Sequence, residues 1–375
     1  MKPHWLLGLA LIPAAYLGRK FRNDPQFGAD AGAMRYAREQ GSKAWRLGSF
    51  RNLDKTPLQE DIGSLFGDLV GYLKAKNTQP TAPLPVAPPG ERPVGDDDDY
   101  LTWYGHSALR LETGGRTILL DPMLGEWVAP VPFLGHRFPY KDYNPTRDFD
   151  VIDLIVYSHD HYDHLDYDTL MAVKDRTRAF LCPLGLGAHL VAWGIPRHKI
   201  TELDWWQAAE LAGCRFTATP ARHFSGRSPG TRNKSLWAGF AIETLHHRIF
   251  FGGDSGYGRH FRQIGDRLGP FDLTMLDSGQ YHARWKNVHM QPEEALRAHQ
   301  DLRGRVLLPI HWGAFSLSDH AWFDPAERIM DADESECVIS PMVGQRFALD
   351  ALDNCRERWW GKSLDPALLQ PDNPR

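Results

Sequence analysis

The sequence predicts an α/β (α+β) chain folded as an αββα sandwich, two mixed β-sheets with helices on the outer faces. Three observations carry that expectation. Strand-like runs fall into two sets, one strand-rich from about Tyr100 and one mixed from about Arg215. Helical signals lie between the strands of the second part of the chain, after Ser158. Histidines and aspartates recur just past the ends of apolar runs, where open α/β sheets usually place their chemistry.

The 375 residues suffice for one large domain with extensions, or for two domains. A composition of 42% hydrophobic and 24% charged residues is that of a globular chain, and a net charge of −4 gives no global sign of a nucleic-acid binder. Thirteen tryptophans imply large apolar or amphipathic contact surfaces. Cys182, Cys214, Cys337 and Cys355 are far apart and form no C-x-x-C pair, so buried reduced thiols are expected rather than disulfides or a cysteine-rich metal site.

Taken in order, residues 1–22 combine an apolar run, Trp5 to Leu17, with Lys2 before it and Arg19, Lys20 and Arg22 after it. The run is shorter than the roughly 20 residues that cross a bilayer, so an uncleaved interfacial anchor is expected. The basic flank places the rest of the chain in the cytoplasm at the inner face of the membrane, with a periplasmic signal anchor as the alternative. Residues 23–99 form an extension with a helical pattern over Leu58 to Lys76, then a stretch holding Pro80, Pro83, Pro85, Pro88, Pro89 and Pro93 that reads as a linker or wrapping segment.

The folded domain is expected over 100–350. Leu101–Tyr104 and Ala108–Glu112 read as strands, Gly114-Gly115 as a hairpin turn, and Thr117–Leu120 as the return strand. Trp127 to Tyr143 reads as a long loop whose Trp127, Phe133, Phe138 and Tyr140 suit a membrane-facing substrate. Val151–Tyr157 is a β-branched apolar run and reads as a buried strand. Thr169–Lys174 and Ala188–Trp193 read as helices. Ala179–Cys182, Arg215–Pro220, Leu236–Thr244, Arg248–Phe251, Phe271–Leu276 and Val306–Pro309 read as strands. Pro292 opens a helix to Leu302, with Glu293 and Glu294 in its first turn. A polar tail follows, 351–375, holding Trp359 and Trp360.

The chemistry concentrates in Ser158–Asp166. Three histidines and three aspartates fall within eight positions, His159 to Asp166. Neutral imidazoles and carboxylates are zinc ligands, and His159, His161, Asp163 and His164 are too dense a set for packing alone. His223, Asp254 and His311 each follow a strand-like run and complete a set large enough for two metal ions. The strand and glycines of Phe250–Gly256 allow close backbone approach at Asp254.

The H-x-H-x-D-H pattern of His159, His161, Asp163 and His164 resembles the metallo-β-lactamase superfamily. Trp103–Ser107, Leu120–Pro122, Phe251–Tyr257, His289–Ala295 and Ile310–Gly313 are similar to its branch of N-acylphosphatidylethanolamine-hydrolysing phospholipase D and bacterial relatives. The resemblance covers about residues 100–345, with weaker similarity around Phe50-Arg51-Asn52-Leu53. It implies one metal held by His159, His161 and His223, a second held by Asp163, His164 and His311, and Asp254 bridging both. It also implies substrate contacts from Tyr162 and His289, with Asp254, His289 and Asp163 carrying catalysis, and support of the ligands by His106 and Asp121. Asp160 and Asp166 are expected either to support ligands or to be solvated.

The expected activity is that of a binuclear hydrolase cleaving an N-acylphosphatidylethanolamine-like lipid to N-acylethanolamine and phosphatidic acid, by attack of a metal-bridging hydroxide on phosphorus. Zinc is the default cofactor, with manganese or iron as alternatives. A lactonase or esterase on the same site, and a non-enzymatic membrane-bound metalloprotein, are the competing readings. Expected partners are a phospholipid and a membrane surface through residues 1–22, with no nucleic acid, and a homodimer is the assembly considered.

Overall fold

The computed structural model describes residues 24–32, 34, 41–57, 75–88, 98–130, 135–141, 149–228, 230–352 and 355–364. The anchor call on 1–22 and most of the helix expected over Leu58 to Lys76 lie outside the described residues.

Two sheets stack face to face. The first has seven strands: β3 (Tyr100–Trp103), β4 (Leu109–Thr113), β5 (Arg116–Leu120), β6 (Ile152–Val156), β7 (Thr177–Pro183), β8 (Ile200–Leu203) and β15 (Arg346–Ala348), in the order β15-β3-β4-β5-β6-β7-β8. The Gly114-Gly115 turn closes the β4–β5 hairpin as expected, with Thr113 opposite Arg116. From β5 to β8 the strands are parallel. The second sheet has six strands: β9 (Ala208–Leu211), β10 (Cys214–Thr219), β11 (Gly239–Glu243), β12 (Arg248–Phe251), β13 (Phe271–Asp277) and β14 (Gly304–Ile310), in the order β14-β13-β12-β11-β10-β9. Its β12, β13 and β14 are parallel and its β9 to β12 antiparallel. Both sheets are therefore mixed.

Strand periodicity assigns each side chain to a layer. Leu154 and Val156 face the opposing sheet, in one cluster with Phe216, Phe240, Phe251, Met275 and Leu308. Ile155 points the other way, to Leu170, Val173 and Leu190 on helices α1 (Tyr167–Val173) and α2 (Gly187–Ala192). On the far side, Phe250 and Leu307 meet Ile264, Ala295 and Ile329 of α3 (His260–Leu268), α4 (Pro292–Asp301) and α5 (Asp324–Ala332). Apolar burial on both sheet faces thus produces the αββα layers.

Helix α4 starts where the sequence places it. Pro292 occupies its first turn, and the Gln291 N–H donates to Glu294 Oε2 at 3.0 Å. The strands β8, β9 and β15, the helices α3 and α5, and a small hairpin of β1 (Trp45–Arg46) and β2 (Ser49–Phe50) were not expected. Neither α3 nor α5 has a side-chain cap. Strand β9 is four residues long and alternates exposed Ala208 and Glu210 with half-buried Ala209 and Leu211, and its alanines and glutamate are depleted in strands, a weak signal.

One expectation is corrected. Phe138 is buried, and the Tyr140 hydroxyl is spent on Gly313 O at 3.0 Å and Tyr104 O at 3.2 Å, so these two aromatics pack inward rather than face a membrane; Phe133 lies outside the described residues. The polar tail is anchored: Trp359 and Trp360 are buried in the inter-sheet core, and Trp359 stacks on Trp312 at 5.6 Å. In the proline-rich stretch Leu84 is fully buried and its N–H donates to Pro139 O at 2.8 Å, the wrapping arrangement rather than a free linker. A Trp360→Ala chain should lose about 3–5 kcal/mol of stability, the usual cost of deleting a buried Trp. Denaturant unfolding measures it, and a loss of only a few tenths would show that this tail is not part of the core.

Candidate metal centre

The site collects at one end of both sheets, where parallel strands finish. His159, His161, Asp163 and His164 follow β6, His223 follows β10, Asp254 follows β12, and His311 follows β14. Each sheet contributes one set of ends, so the stacking alone brings residues over a hundred positions apart together. All seven sequence-predicted metal residues converge.

The atoms form two overlapping groups. In the first, His161 Nδ1 lies 2.9 Å from His159 Nε2 and 3.1 Å from His223 Nε2. In the second, Asp163 Oδ2 lies 3.3 Å from His311 Nε2 and 3.7 Å from His164 Nε2. Asp254 Oδ2 belongs to both: it is 3.1 Å from His164 Nε2, 3.3 Å from His311, 3.7 Å from His223 and 3.8 Å from His159. Ligands on a tetrahedral ion with bonds of about 2.0–2.1 Å lie about 3.3 Å apart, the spacing found around Asp254. Asp254 Oδ1 and His164 Nε2 are buried without a hydrogen bond among the described residues. Such orphaned buried atoms are costly unless a ligand engages them. The donor set fits two divalent cations.

The imidazoles are held from behind, which fixes the nitrogen they present. His159 Nδ1 meets Ser158 Oγ at 2.9 Å, His164 Nδ1 meets Asp121 Oδ2 at 2.7 Å, and His223 Nδ1 meets Val288 O at 3.0 Å. His311 Nδ1 meets Asp277 Oδ1 at 3.1 Å. Asp121 also accepts the Ser158 N–H at 2.7 Å. His106 Nε2 lies 3.0 Å from Asp163 Oδ2, with its ring 4.3 Å from that of His311. Gly253 holds φ 56°, and a Cβ there would sit 2.6 Å from Ser158 Cβ, so the turn delivering Asp254 requires glycine.

The loop carrying the ligands is itself anchored. Asp160 is fully buried and accepts from Ser235 Oγ at 2.6 Å and Gly226 N at 2.7 Å, with His189 Nε2 at 3.3 Å. Burial opposes its ionisation, yet His189 and Ser235 outweigh that and lower its pKa. It is not solvated. Asp166 caps α1 through the Thr169 N–H at 3.0 Å and accepts from Gly125 N at 3.0 Å. The buried Arg227 guanidinium donates to Asp160 O at 2.8 Å, Leu165 O at 2.7 Å and Gln26 O at 2.7 Å. Asn52 brackets His223, donating to its carbonyl at 2.7 Å and accepting its N–H at 3.1 Å. The Ala29 N–H donates to His189 Nδ1 at 2.9 Å.

His289 is stacked 4.9 Å from the His311 ring and 5.2 Å from His223, with Nδ1 2.8 Å from Asp277 Oδ2. Tyr162 joins neither donor group. Its hydroxyl donates to Arg227 O, and the Arg227 guanidinium lies 4.0 Å over its ring. Sequence reading missed Asp277 and Arg227, and reached Asn52 only through the weaker similarity around Phe50–Leu53, with no role assigned to it. Asp277 ends an apolar strand just as Asp254 follows one, and that shared position was its only signal. Arg227 and Asn52 lie in segments without pattern.

Burial lowers the pKa of His159, His161 and His223, favouring the neutral ligand form. For His311 burial also opposes charge, but Asp254, Asp277 and Asp163 outweigh it and raise the pKa to about 10. His164 is raised as well: burial again opposes, and Asp254, Asp163 and Asp121 prevail. Without ions these two imidazoles hold protons at neutral pH, and a ligating imidazole must lose them. Metal affinity should therefore rise with pH up to about 10, and calorimetry in buffers of different ionisation enthalpy should register protons released on loading. Affinity independent of pH would contradict this charge balance. Asp254→Ala should lose most bound metal by elemental analysis, whereas Asp163→Ala should retain the ion of the His159, His161 and His223 group.

A family model described as a beta-lactamase superfamily domain matches residues 116–312, more than half of the 375-residue chain. An uncharacterized protein of Mycobacterium bovis is 40% identical over 363 residues, 94% of this chain and 96% of its own. N-acyl-phosphatidylethanolamine-hydrolyzing phospholipase D 1 of Caenorhabditis elegans is 32% identical over 255 residues, 63% of this chain and 70% of its own. Among solved structures, an isothiocyanate hydrolase from Delia radicum gut bacteria shares the fold, with a TM-score of 0.54 at 18% identity over 66% of this chain and 98% of that one. The matched span encloses both donor groups, and the chain belongs to the metallo-β-lactamase superfamily as one of its metal-dependent hydrolases.

Proposed function

We propose that the chain is a phosphodiesterase of phospholipase D type, acting on N-acylphosphatidylethanolamine-like lipids. The observation that carries this reading is the 32% identity to the Caenorhabditis elegans phospholipase over 255 residues. The proposed cofactor is a pair of zinc ions held by His159, His161 and His223 on one side and Asp163, His164 and His311 on the other, with Asp254 between them.

Bound there, divalent ions supply an acidified water and polarise a phosphoryl oxygen. The residues supply position and protons. Asp254, facing four imidazoles, fixes the spacing of the two groups. Asp277 holds His311 through Oδ1 and His289 through Oδ2, so one carboxylate sets a ligand and a candidate proton donor in register. In the reaction the water oxygen bonds to phosphorus and the bond from phosphorus to the ethanolamine oxygen breaks. That oxygen takes a proton, which His289 would give from Nε2, its Nδ1 being held by Asp277, and the proton shed by the water restores the one His289 gave. Tyr162 acts through Arg227, positioning the loop that carries Asp160.

Incubation with N-acylphosphatidylethanolamine should release N-acylethanolamine and phosphatidic acid, read by mass spectrometry. Release of free fatty acid instead would indicate an esterase and remove this reading. His289→Gln should lower kcat by about 10²–10⁴-fold, the usual range for a lost proton donor, with metal content unchanged. Loss of metal in that variant would make His289 a structural residue.

A further inference from the structure

The hairpin of β1 and β2 has a two-residue tip, Leu47 and Gly48, at φ 52° and 80°. Asn, Asp or Gly normally occupies such positions, because a left-handed backbone costs other residues steric energy. Here the first tip residue is a leucine with 95% of its surface exposed. The tip is presented firmly. Trp45 and Phe50 pack edge to face at 4.9 Å beneath it, and Lys234 Nζ donates to Gly48 O at 2.6 Å. A strained, rigid and solvated leucine contributes nothing to the packing of its own fold.

Its surroundings are cationic. Lys43, Arg46, Arg51 and Lys55 are all exposed, and Leu53 is 43% exposed among them. Over residues 41–57 these four cations face one carboxylate, Asp54, which pairs with Arg259 at 3.0 Å. The stretch is thus positive in a chain whose net charge is −4. The same stretch borders the metal centre. Asn52 brackets His223, Lys55 O accepts from Arg222 at 3.2 Å, and Pro57 O accepts from Asn287 at 2.8 Å, two residues before His289. Leu47 is five residues from Asn52, a chain reach of at most about 17 Å.

We infer that residues 43–55 dock the chain on an anionic lipid surface, with Leu47 inserted among the headgroups and Lys43, Arg46 and Arg51 against the lipid phosphates. The inference rests on the phospholipase reading and deepens it, since it brings the rim of the metal centre to the bilayer that holds the substrate. Protein interfaces are depleted of charge at their centres, whereas this patch is mostly charge with single apolar points. Single-stranded nucleic acid calls for exposed stacking aromatics, and Trp45 and Phe50 are packed on each other. Cations with an apolar wedge are what an anionic interface selects.

The test uses the full chain carrying Leu47→Cys labelled with an environment-sensitive fluorophore. The parent chain, with three buried cysteines and the half-buried Cys337, gives the background. Vesicles of phosphatidylcholine with phosphatidylglycerol should shift the label emission to the blue, and vesicles of phosphatidylcholine alone should not. A Lys43→Glu/Arg46→Glu chain should partition onto the anionic vesicles at least about 25-fold more weakly, about fivefold for each lost cation before the repulsion of the two added carboxylates is counted. An unshifted label on a chain that sediments with the vesicles would place the contact elsewhere and overturn the inference, as would a charge-reversed chain that partitions like its parent. Neither readout involves turnover, so failure of docking and failure of the phospholipase assignment are separately visible.

Discussion

The structure depends on one buried electrostatic arrangement, the Asp254 carboxylate facing the Nε2 atoms of four histidines. Taking a carboxylate and several imidazoles out of water is expensive unless opposite charge accompanies them. Apolar packing does not hold such a centre together by itself, and its atoms lie on four different chain segments. Each segment has to be brought to the same point by something else, and that is the work of the two stacked sheets. Strands β6, β10, β12 and β14 are fixed by their own ladders and by the core between the sheets. Their ends then deliver ligands without depending on the ligands' own attraction.

Around that centre lies a second level of constraint, made of carboxylates and carbonyls that meet the backs of the ligands. Asp121, Asp277 and Val288 O decide which imidazole nitrogen points inward. Asp160 and Arg227 do the same for the loop, at the level of backbone rather than side chain. The buried charge is therefore distributed. Each carboxylate touching a ligand is paired with donors of its own, and a fully satisfied polar network is rigid where a partly satisfied one is not.

Much of this was legible in the sequence for physical reasons. The H-x-H-x-D-H run is local, so its density of donors is visible without a fold. His223, Asp254 and His311 stood out because each follows a strand-like run, and strand ends are where sheets leave side chains free. Asp277 follows the same rule but has neither the glycine pair that precedes Asp254 nor a second ligand beside it. Asn52 and Arg227 act through long-range hydrogen bonds from irregular segments, and no periodicity marks such residues. The inward packing of Tyr140 and Phe138 was invisible because an aromatic-rich loop looks alike whether it meets lipid or core. The tail left no expectation of packing, because two tryptophans among polar residues carry little pattern, although Trp359 and Trp360 are buried.

The N-terminal extension contributes Gln26 O to Arg227, Ala29 N to His189 and the Asn52 side chain to His223. These three contacts lie outside the segment that defines the family, yet each ends on a residue that steadies the metal centre. The smallest autonomous unit of this hydrolase is therefore larger than its recognisable domain. A fragment cut at Tyr100 keeps every ligand and both sheets, but loses the outer braces that hold the ligand loops in place. Modular exchange of this domain between relatives would have to carry the extension with it, so the two segments are expected to diverge together rather than independently.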